Sequence, residues 1–267
     1  MDVTKSDMLF AKGVILVEGI AEQLTMPVFA HYAGFDLESS HISVINIGSR
    51  YFKHFLKLFD SSRPYTLHKK VACITDLDPL RKKKNEDESK FEKCYSFELN
   101  LENDQYEYKS CSNDLLDETF PKNIRCFAQE IGKGKTFEYE LAYSNPSCKL
   151  LLTKSVSNNK ELNRLMDLYH NQEKLDEMIK VVSKKGAENL RIIESIKKYP
   201  GQDSRKHLIA ARYLNSVDKG ENAYELSKVL EENSMGHSPL ISGNDPRQCV
   251  LFKVPKYIKD AISWICS

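Results

Sequence analysis

Gly13-Val14-Ile15-Leu16-Val17-Glu18-Gly19-Ile20-Ala21-Glu22 and Val71-Ala72-Cys73-Ile74-Thr75-Asp76-Leu77-Asp78 are the two stretches that decide the fold. Each is a short apolar run that ends in a pair of carboxylates. Runs this apolar read as strands buried on both faces, as in a parallel sheet covered by helices. In such a sheet the carboxyl ends of the strands open onto the ligand crevice. Acids gathered there repel one another unless hard cations sit between them. The pattern therefore points to Mg²⁺ or Mn²⁺ and to phosphate chemistry. Each pair also has a plainer explanation. Glu18 and Glu22 suit a helix N-terminus, where the dipole favours each acid by roughly 0.3–1 kcal/mol, and Asp78-Pro79 suits a turn. Two such pairs at the ends of two core strands are harder to explain that way.

Outward from these stretches, strand and helix signals alternate over the first 155 residues. Val14–Val17, Ser43–Ile47, Lys70–Thr75 and Ile124–Ala128 read as strands. Ile20–Ala33 reads as a helix, with an awkward Pro27 expected to bring a kink or a tight first segment and Gly34 as its stop. Phe52, Phe55, Leu56 and Phe59 give a second helix. Between Pro79 and Lys122 the signal weakens. Arg81 to Ser89, almost wholly polar, reads as a mobile loop, and Tyr106 and Tyr108 as part of short irregular strands. From Asn158 to Tyr199 the character turns purely helical, with stripes at Leu162, Leu165, Met166 and Tyr169, then Leu175, Met178, Ile179 and Val182, then Leu190, Ile193 and Ile196. Ser204–Leu214, Asp218–Glu232 and Val254–Ile265 add helices, with a loop-rich tail after Ser234. The expected architecture is α/β: a central parallel sheet flanked by helices, with an inserted helical subdomain. The expected division is an α/β core over 1–155, a helical insertion over 156–202, and helices completing the core over 203–267.

Composition excludes several classes. The net charge is +1, so a globally basic nucleic-acid binder is ruled out while a local basic face is not. No apolar stretch approaches the ~20 residues that span a bilayer, and Met1–Lys12 lacks the layout of a secretory leader. The cysteines are seven, odd in number and without a Cys-x-x-Cys pair, which argues against zinc and disulfides and for a reducing cytoplasm. Gly132-Lys133-Gly134-Lys135-Thr136 mimics a nucleotide-binding loop, but Gln129 stands where the full pattern needs its first glycine. ATP binding is not expected there. Arg81-Lys82-Lys83-Lys84 is a candidate DNA-backbone track, with a solvated loop as the equally simple alternative.

Leu9-Phe10-Ala11-Lys12 followed by the first strand and Glu18-Gly19, then a second Glu, resembles the opening of a TOPRIM domain, and Asp76-Leu77-Asp78 resembles its Asp-x-Asp. With Asn46-Ile47-Gly48 before the second helix, the pattern is similar to the overcoming-lysogenization-defect (OLD) family of nucleases, and the similarity runs from about residue 8 to 230. Ser49 departs from it, where a second glycine is common. The resemblance implies two further site positions. Thr136-Phe137-Glu138-Tyr139-Glu140 resembles the family's Thr-x-Glu, with Glu138 as ligand and Glu140 as exposed neighbour, an order the motif leaves open. Lys219-Gly220 resembles its late Lys-Gly, whose lysine faces the scissile phosphate. A lysine in a first helical turn, behind an Asp218 N-cap with Glu221 completing a capping box, opposes the dipole and suits that role.

The expectation is thus a two-metal Mg²⁺ or Mn²⁺ endonuclease acting on DNA. Glu18, Asp76 and Lys219 would be catalytic, and Glu18, Glu22, Asp76, Asp78 and Glu138 would be metal ligands. The resemblance also implies an N-terminal ATPase partner domain, which nothing in the chain matches. The expectation is a fragment starting just ahead of the nuclease core or a free-standing relative, in a role in phage conflict or DNA repair, with oligomerisation left open. The rival readings are another TOPRIM enzyme (a primase or an RNA-processing nuclease) and a non-catalytic DNA- or partner-binding module.

Overall fold

The computed structural model describes residues 3–84, 90–99, 101, 105–237 and 250–267. In chain order its elements are α1 (Val3–Phe10), β1 (Gly13–Val17), α2 (Ile20–Tyr32), β2 (Ile42–Asn46), α3 (Phe52–Leu56), β3 (Lys70–Ile74), β4 (Leu80–Lys83), β5 (Glu92–Lys93), β6 (Tyr106–Lys109) and β7 (Ile124–Phe127). Helices follow: α4 (Phe137–Ser144), α5 (Asn159–His170), α6 (Leu175–Val181), α7 (Ala187–Lys198), α8 (Ser204–Leu214), α9 (Lys219–Ser234) and α10 (Lys256–Cys266). The chain divides into two units. The first comprises Met1–Asp76, Asn113–Ala128 and Val254–Ser267, and the second Leu77–Ser112 and Gln129–Lys253.

The first unit is the expected parallel sheet, in the order β2-β1-β3-β7. Val17 pairs with Asn46 on one side and Ile74 on the other, so β1, β2 and β3 end level. Because side chains alternate along a strand, Val14 and Leu16 of β1 join Val71 and Cys73 of β3 in a core with Met8, Ile45, Phe52, Leu56 and Phe59. Ile15, Val17, Ala72 and Ile74 are equally buried on the opposite face. There α10 packs on β1, β3, β7 and α2, bringing Tyr257, Ile258, Ala261, Ile262 and Ile265 inside. Both faces are covered, which is why the strands read as unbroken apolar runs. α2 continues through Pro27. Proline has no N–H to bond the Gln23 carbonyl, and the helix is assigned without interruption across it. α1, which the sequence reading did not pick out, adds Met8 to the core.

The second unit contains a three-stranded antiparallel sheet, β5-β4-β6, and the helices α4 to α9. Leu80–Lys83 is therefore a strand and not the mobile loop expected from its charge; 85–89, the rest of that stretch, lie outside the described residues. Paired neighbours on both sides override the poor strand propensity of a Lys-Arg run. Helices form over all three stripes, but Val182 falls just past the end of α6 and Leu190 of the third stripe is exposed. α8 is buried almost all round, from His207 to Tyr213, because α4, α5, α6 and α7 all pack on it.

A buried acid ties this unit together. Glu98 is 1% exposed. Arg191 donates to both its carboxylate oxygens, from Nε at 2.9 Å and Nη2 at 2.6 Å. Arg81 Nη1 donates at 3.1 Å and the Tyr95 N–H at 2.7 Å. Burial pushes the Glu98 carboxyl up, but the Arg191 bonds and charge, the Tyr95 amide and Arg81 outweigh it and leave it lowered. A lowered carboxyl stabilises the fold above its unfolded-state value, near 4.5, and that stabilisation is lost as pH falls through the folded-state value. Glu98→Ala leaves two guanidinium groups short of their shared partner. It is expected to cost about 3–5 kcal/mol in urea unfolding at pH 7, and much less of the difference from wild type should remain near pH 3.

Candidate metal centre

The sheet order sets the stage. From β1 the chain moves to β2 on one side and then crosses to β3 on the other, so β1 and β3 flank the topological switch point. Ligands bind outside the carboxyl ends of the strands at such a point. Glu18 is the first residue after β1, and Thr75 and Asp76 the first two after β3.

The structure brings these residues together. Glu18 Oε1 accepts from the Thr75 hydroxyl and from the Asp76 backbone N–H at 3.2 Å. Thr75 in turn accepts from the Asn113 side-chain amide, whose oxygen accepts from the Leu115 N–H at 3.0 Å. The run Asn113 to Thr75 to Glu18 is a directed chain of donors that holds the Glu18 carboxylate in one pose. On its other side Arg50 Nε stands 3.5 Å from Glu18 Oε2. Arg50 follows the turn in which Asn46 Oδ1 accepts from the Gly48 N–H at 2.8 Å, with Gly48 at a φ of +74° that glycine adopts without strain. Glu22 lies in the first turn of α2 and is buried. Its Oε2 lies 3.2 Å from where a Cβ on residue 19 would sit, so Gly19 leaves room for that carboxylate beside the strand end.

Asp78 and Glu138 belong to the second unit. Asp78 is buried and accepts from Lys93 Nζ at 3.0 Å. Glu138 is also buried; it lies in the first turn of α4, where the Thr136 hydroxyl donates to its Oε2 at 3.1 Å. Glu140 is half-buried rather than exposed. Burial pushes its carboxyl up to about 7, against a bond from Ser144, and its Oε2 has no hydrogen-bond partner among the described residues. Lys219 opens α9, and its side chain lies outside what the structure describes. Asp218 occupies the N-cap position but makes no side-chain cap bond, so the expected capping box is not formed. In the basic run Arg81 is committed to Glu92 and Glu98 and stacks over the Tyr106 ring at 4.7 Å. Lys83 and Lys84 are exposed.

The donor chemistry suits a hard divalent cation, since every candidate ligand is a carboxylate. The arrangement itself is not a closed cage: among the described residues no group of three or more His, Cys, Asp or Glu side chains is placed to hold an ion. Glu18 and Asp78 spend oxygens on Arg50 and Lys93, which compensate their charge.

The family model for the "Overcoming lysogenization defect protein-like, TOPRIM domain" matches residues 9–78. The match takes in Glu18, Glu22, Asp76 and Asp78 and stops short of Arg81–Lys84, Glu138 and Lys219. Among solved structures, the chain is similar to the C-terminal region of the Burkholderia pseudomallei OLD protein, at 19% identity and a TM-score of 0.44 over 96% of this chain and 98% of that one. It is also similar to the C-terminal region of the Xanthomonas campestris pv. campestris OLD protein, at 18% identity and a TM-score of 0.36 over 77% and 94%. No curated protein matches the chain.

The segment over 9–78 supplies supports that the motifs alone do not reveal, chiefly Thr75 and Arg50, with Asn113 joining from outside it. Thr75 carried one signal, as a polar residue closing an otherwise apolar strand; Asn113 and Arg50 carried none. Thr75→Val keeps the shape but strips the donor from Glu18 and the acceptor from Asn113. It is expected to cost about 1–3 kcal/mol in chemical denaturation, whereas Thr75→Ser should be close to neutral.

Proposed function

We propose that this chain is a metal-dependent nuclease whose substrate is DNA. The observation that supports it most is the meeting of the Glu18 carboxylate with the Asp76 backbone and Thr75 at the switch point of the parallel sheet. Candidate ligands that are all carboxylates suit a hard divalent cation at that place. Glu18, Asp76 and Asp78 are assigned to one Mg²⁺ or Mn²⁺, and Glu22 and Glu138 to a second. Bound there, the two ions supply Lewis-acid stabilisation of the attacking and leaving oxygens of an in-line displacement at phosphorus. The chain's own residues do the rest. Thr75 and the Asp76 N–H fix one oxygen of Glu18 and leave the other facing Arg50, so the carboxylate is oriented before any ion arrives. Lys219 is assigned to the scissile phosphate, where a cation offsets charge that grows in the transition state. The assignments of Asp78, Glu138 and Lys219, and of an ATPase partner domain, rest on the likeness of their motifs to OLD-family nucleases. Lys83 and Lys84 are exposed, and with Arg81 and Lys82 are assigned to DNA backbone contact.

A second reading has an observation behind it. Arg50 and Lys93 already neutralise Glu18 and Asp78, as they would in a non-catalytic module of the same fold. Two measurements separate the readings. Calorimetric titration with Mn²⁺ should show a saturable divalent site in the wild type and a weaker one in Asp76→Asn. Nicking of supercoiled plasmid in Mn²⁺ should fall by about 10²–10³ in the same variant, while its melting temperature stays near that of the wild type. Wild-type levels of nicking in a folded Asp76→Asn protein would reject the site, and a wild type that takes up no Mn²⁺ would favour the silent module.

A further inference from the structure

Gly132-Lys133-Gly134-Lys135-Thr136, the stretch that mimics a phosphate-binding loop, has its lysine turned inward. Lys135 is 6% exposed. Its ammonium donates to the Cys94 carbonyl at 2.6 Å and stands 5.0 Å over the Tyr95 ring. Its own carbonyl accepts from the Asp78 N–H at 3.0 Å. The Cys94 N–H donates to the Pro79 carbonyl at 2.9 Å. Asp78-Pro79, Cys94 and Lys135 thus form a closed hydrogen-bonded ring. Lys93, the neighbour of Cys94, adds its ion pair to the Asp78 carboxylate at 3.0 Å. The same stretch braces the preceding residue. Gln129 Oε1 accepts from the Leu77 N–H at 3.0 Å, and Gly134 sits so close that a Cβ there would lie 2.0 Å from the Gln129 Cβ. All of these residues lie in the second unit.

Asp78 is held in a conformation that a non-glycine residue seldom adopts, with φ at +43°. Such a conformation costs of order 1–3 kcal/mol and persists only where the surroundings over-determine it. The ring does that, holding the Asp78 N–H on one side and the carbonyl of the following Pro79 on the other. An ammonium sealed against a carbonyl and a ring face is not available to a nucleotide phosphate, so the lysine's work is internal.

We propose that Lys135 is a positioning residue for Asp78, closing the ring that aims the second acid of the Asp-x-Asp at a divalent cation. The cation rests on the reading of the site given above; the ring does not. Lys135→Met removes the ammonium at nearly constant volume, Lys135→Gln keeps a shorter neutral donor, and Lys135→Arg keeps a charged one. In the full chain, Lys135→Met is expected to weaken Mn²⁺ binding by calorimetry by about 10–100-fold, the range seen when outer-shell partners of metal ligands are lost. Hydrogen exchange of peptides spanning Asp78 should quicken severalfold without added metal. Plasmid nicking should shift to higher Mn²⁺ concentration and recover at saturation. Lys135→Arg should bring all three readouts most of the way back, and Lys135→Gln should fall between. A folded Lys135→Met protein with unchanged exchange at Asp78, or with an unchanged Mn²⁺ midpoint beside a wild type that binds the ion, overturns the proposal. So does equal impairment in Met and Arg variants, or failure of all three variants to fold, which would make Lys135 a folding residue only. A wild type that takes up no Mn²⁺ but whose Lys135→Met variant exchanges faster at Asp78 removes the nuclease reading and the metal-aiming role, and leaves only the ring.

Discussion

The hydrogen bonds that the Glu18 carboxylate accepts from Thr75 and from the Asp76 N–H are the constraint on which the candidate centre depends. They join residues from the ends of two parallel strands whose own pairing stops one residue earlier, at Val17 and Ile74. A carboxylate at that place carries a full charge into half-buried surroundings. Without donors it would be costly to keep there. Thr75 supplies one because Asn113 orients its hydroxyl, and Asn113 does so because its own oxygen caps the turn at Leu115. A rigid scaffold at the sheet end is thereby transmitted to a single functional group.

The second unit solves the same problem with different parts. Glu98 is held by two arginines and a backbone amide, which lower its carboxyl against burial, and Asp78 pairs with Lys93 in a backbone conformation fixed by its surroundings. In both units the acids are matched by donors from the protein itself. A cation bound beside them would have to compete with Arg50 and Lys93. Both are cheap to displace. Arg50 is a third exposed and 3.5 Å away, and Lys93 is two-thirds exposed, so each pair is worth about 0–1 kcal/mol.

The loop at 132–136 shows how one pattern supports two chemistries. A glycine-rich turn ahead of a helix is a phosphate cradle when its amides and lysine face outward. Here Gln129 fills the space beside Gly134, and the lysine is drawn into the protein by the Cys94 carbonyl. The glycine allows close packing, and the lysine's ammonium is spent on an internal hydrogen bond.

Much of the fold could be read from the sequence by itself, because its signals are local. The four apolar runs of the parallel sheet, the helix from Ile20 and most of the stripes of α5 to α7 follow from burial on one or both faces, and burial writes itself into residue spacing. The carboxylates at the strand ends were legible for the same reason: a charge that closes an apolar run stands out. Tertiary structure alone decided the rest. The run at 80–83 is a strand only because β5 and β6 pair with it, and α8 is buried all round only because four helices meet on it. Thr75, Asn113 and Arg50 became supports of Glu18, and Lys135 of Asp78, through contacts between residues far apart in the chain. Local spacing carries no trace of such contacts, since a hydrogen bond between distant residues constrains each partner's chemistry without constraining the sequence in between.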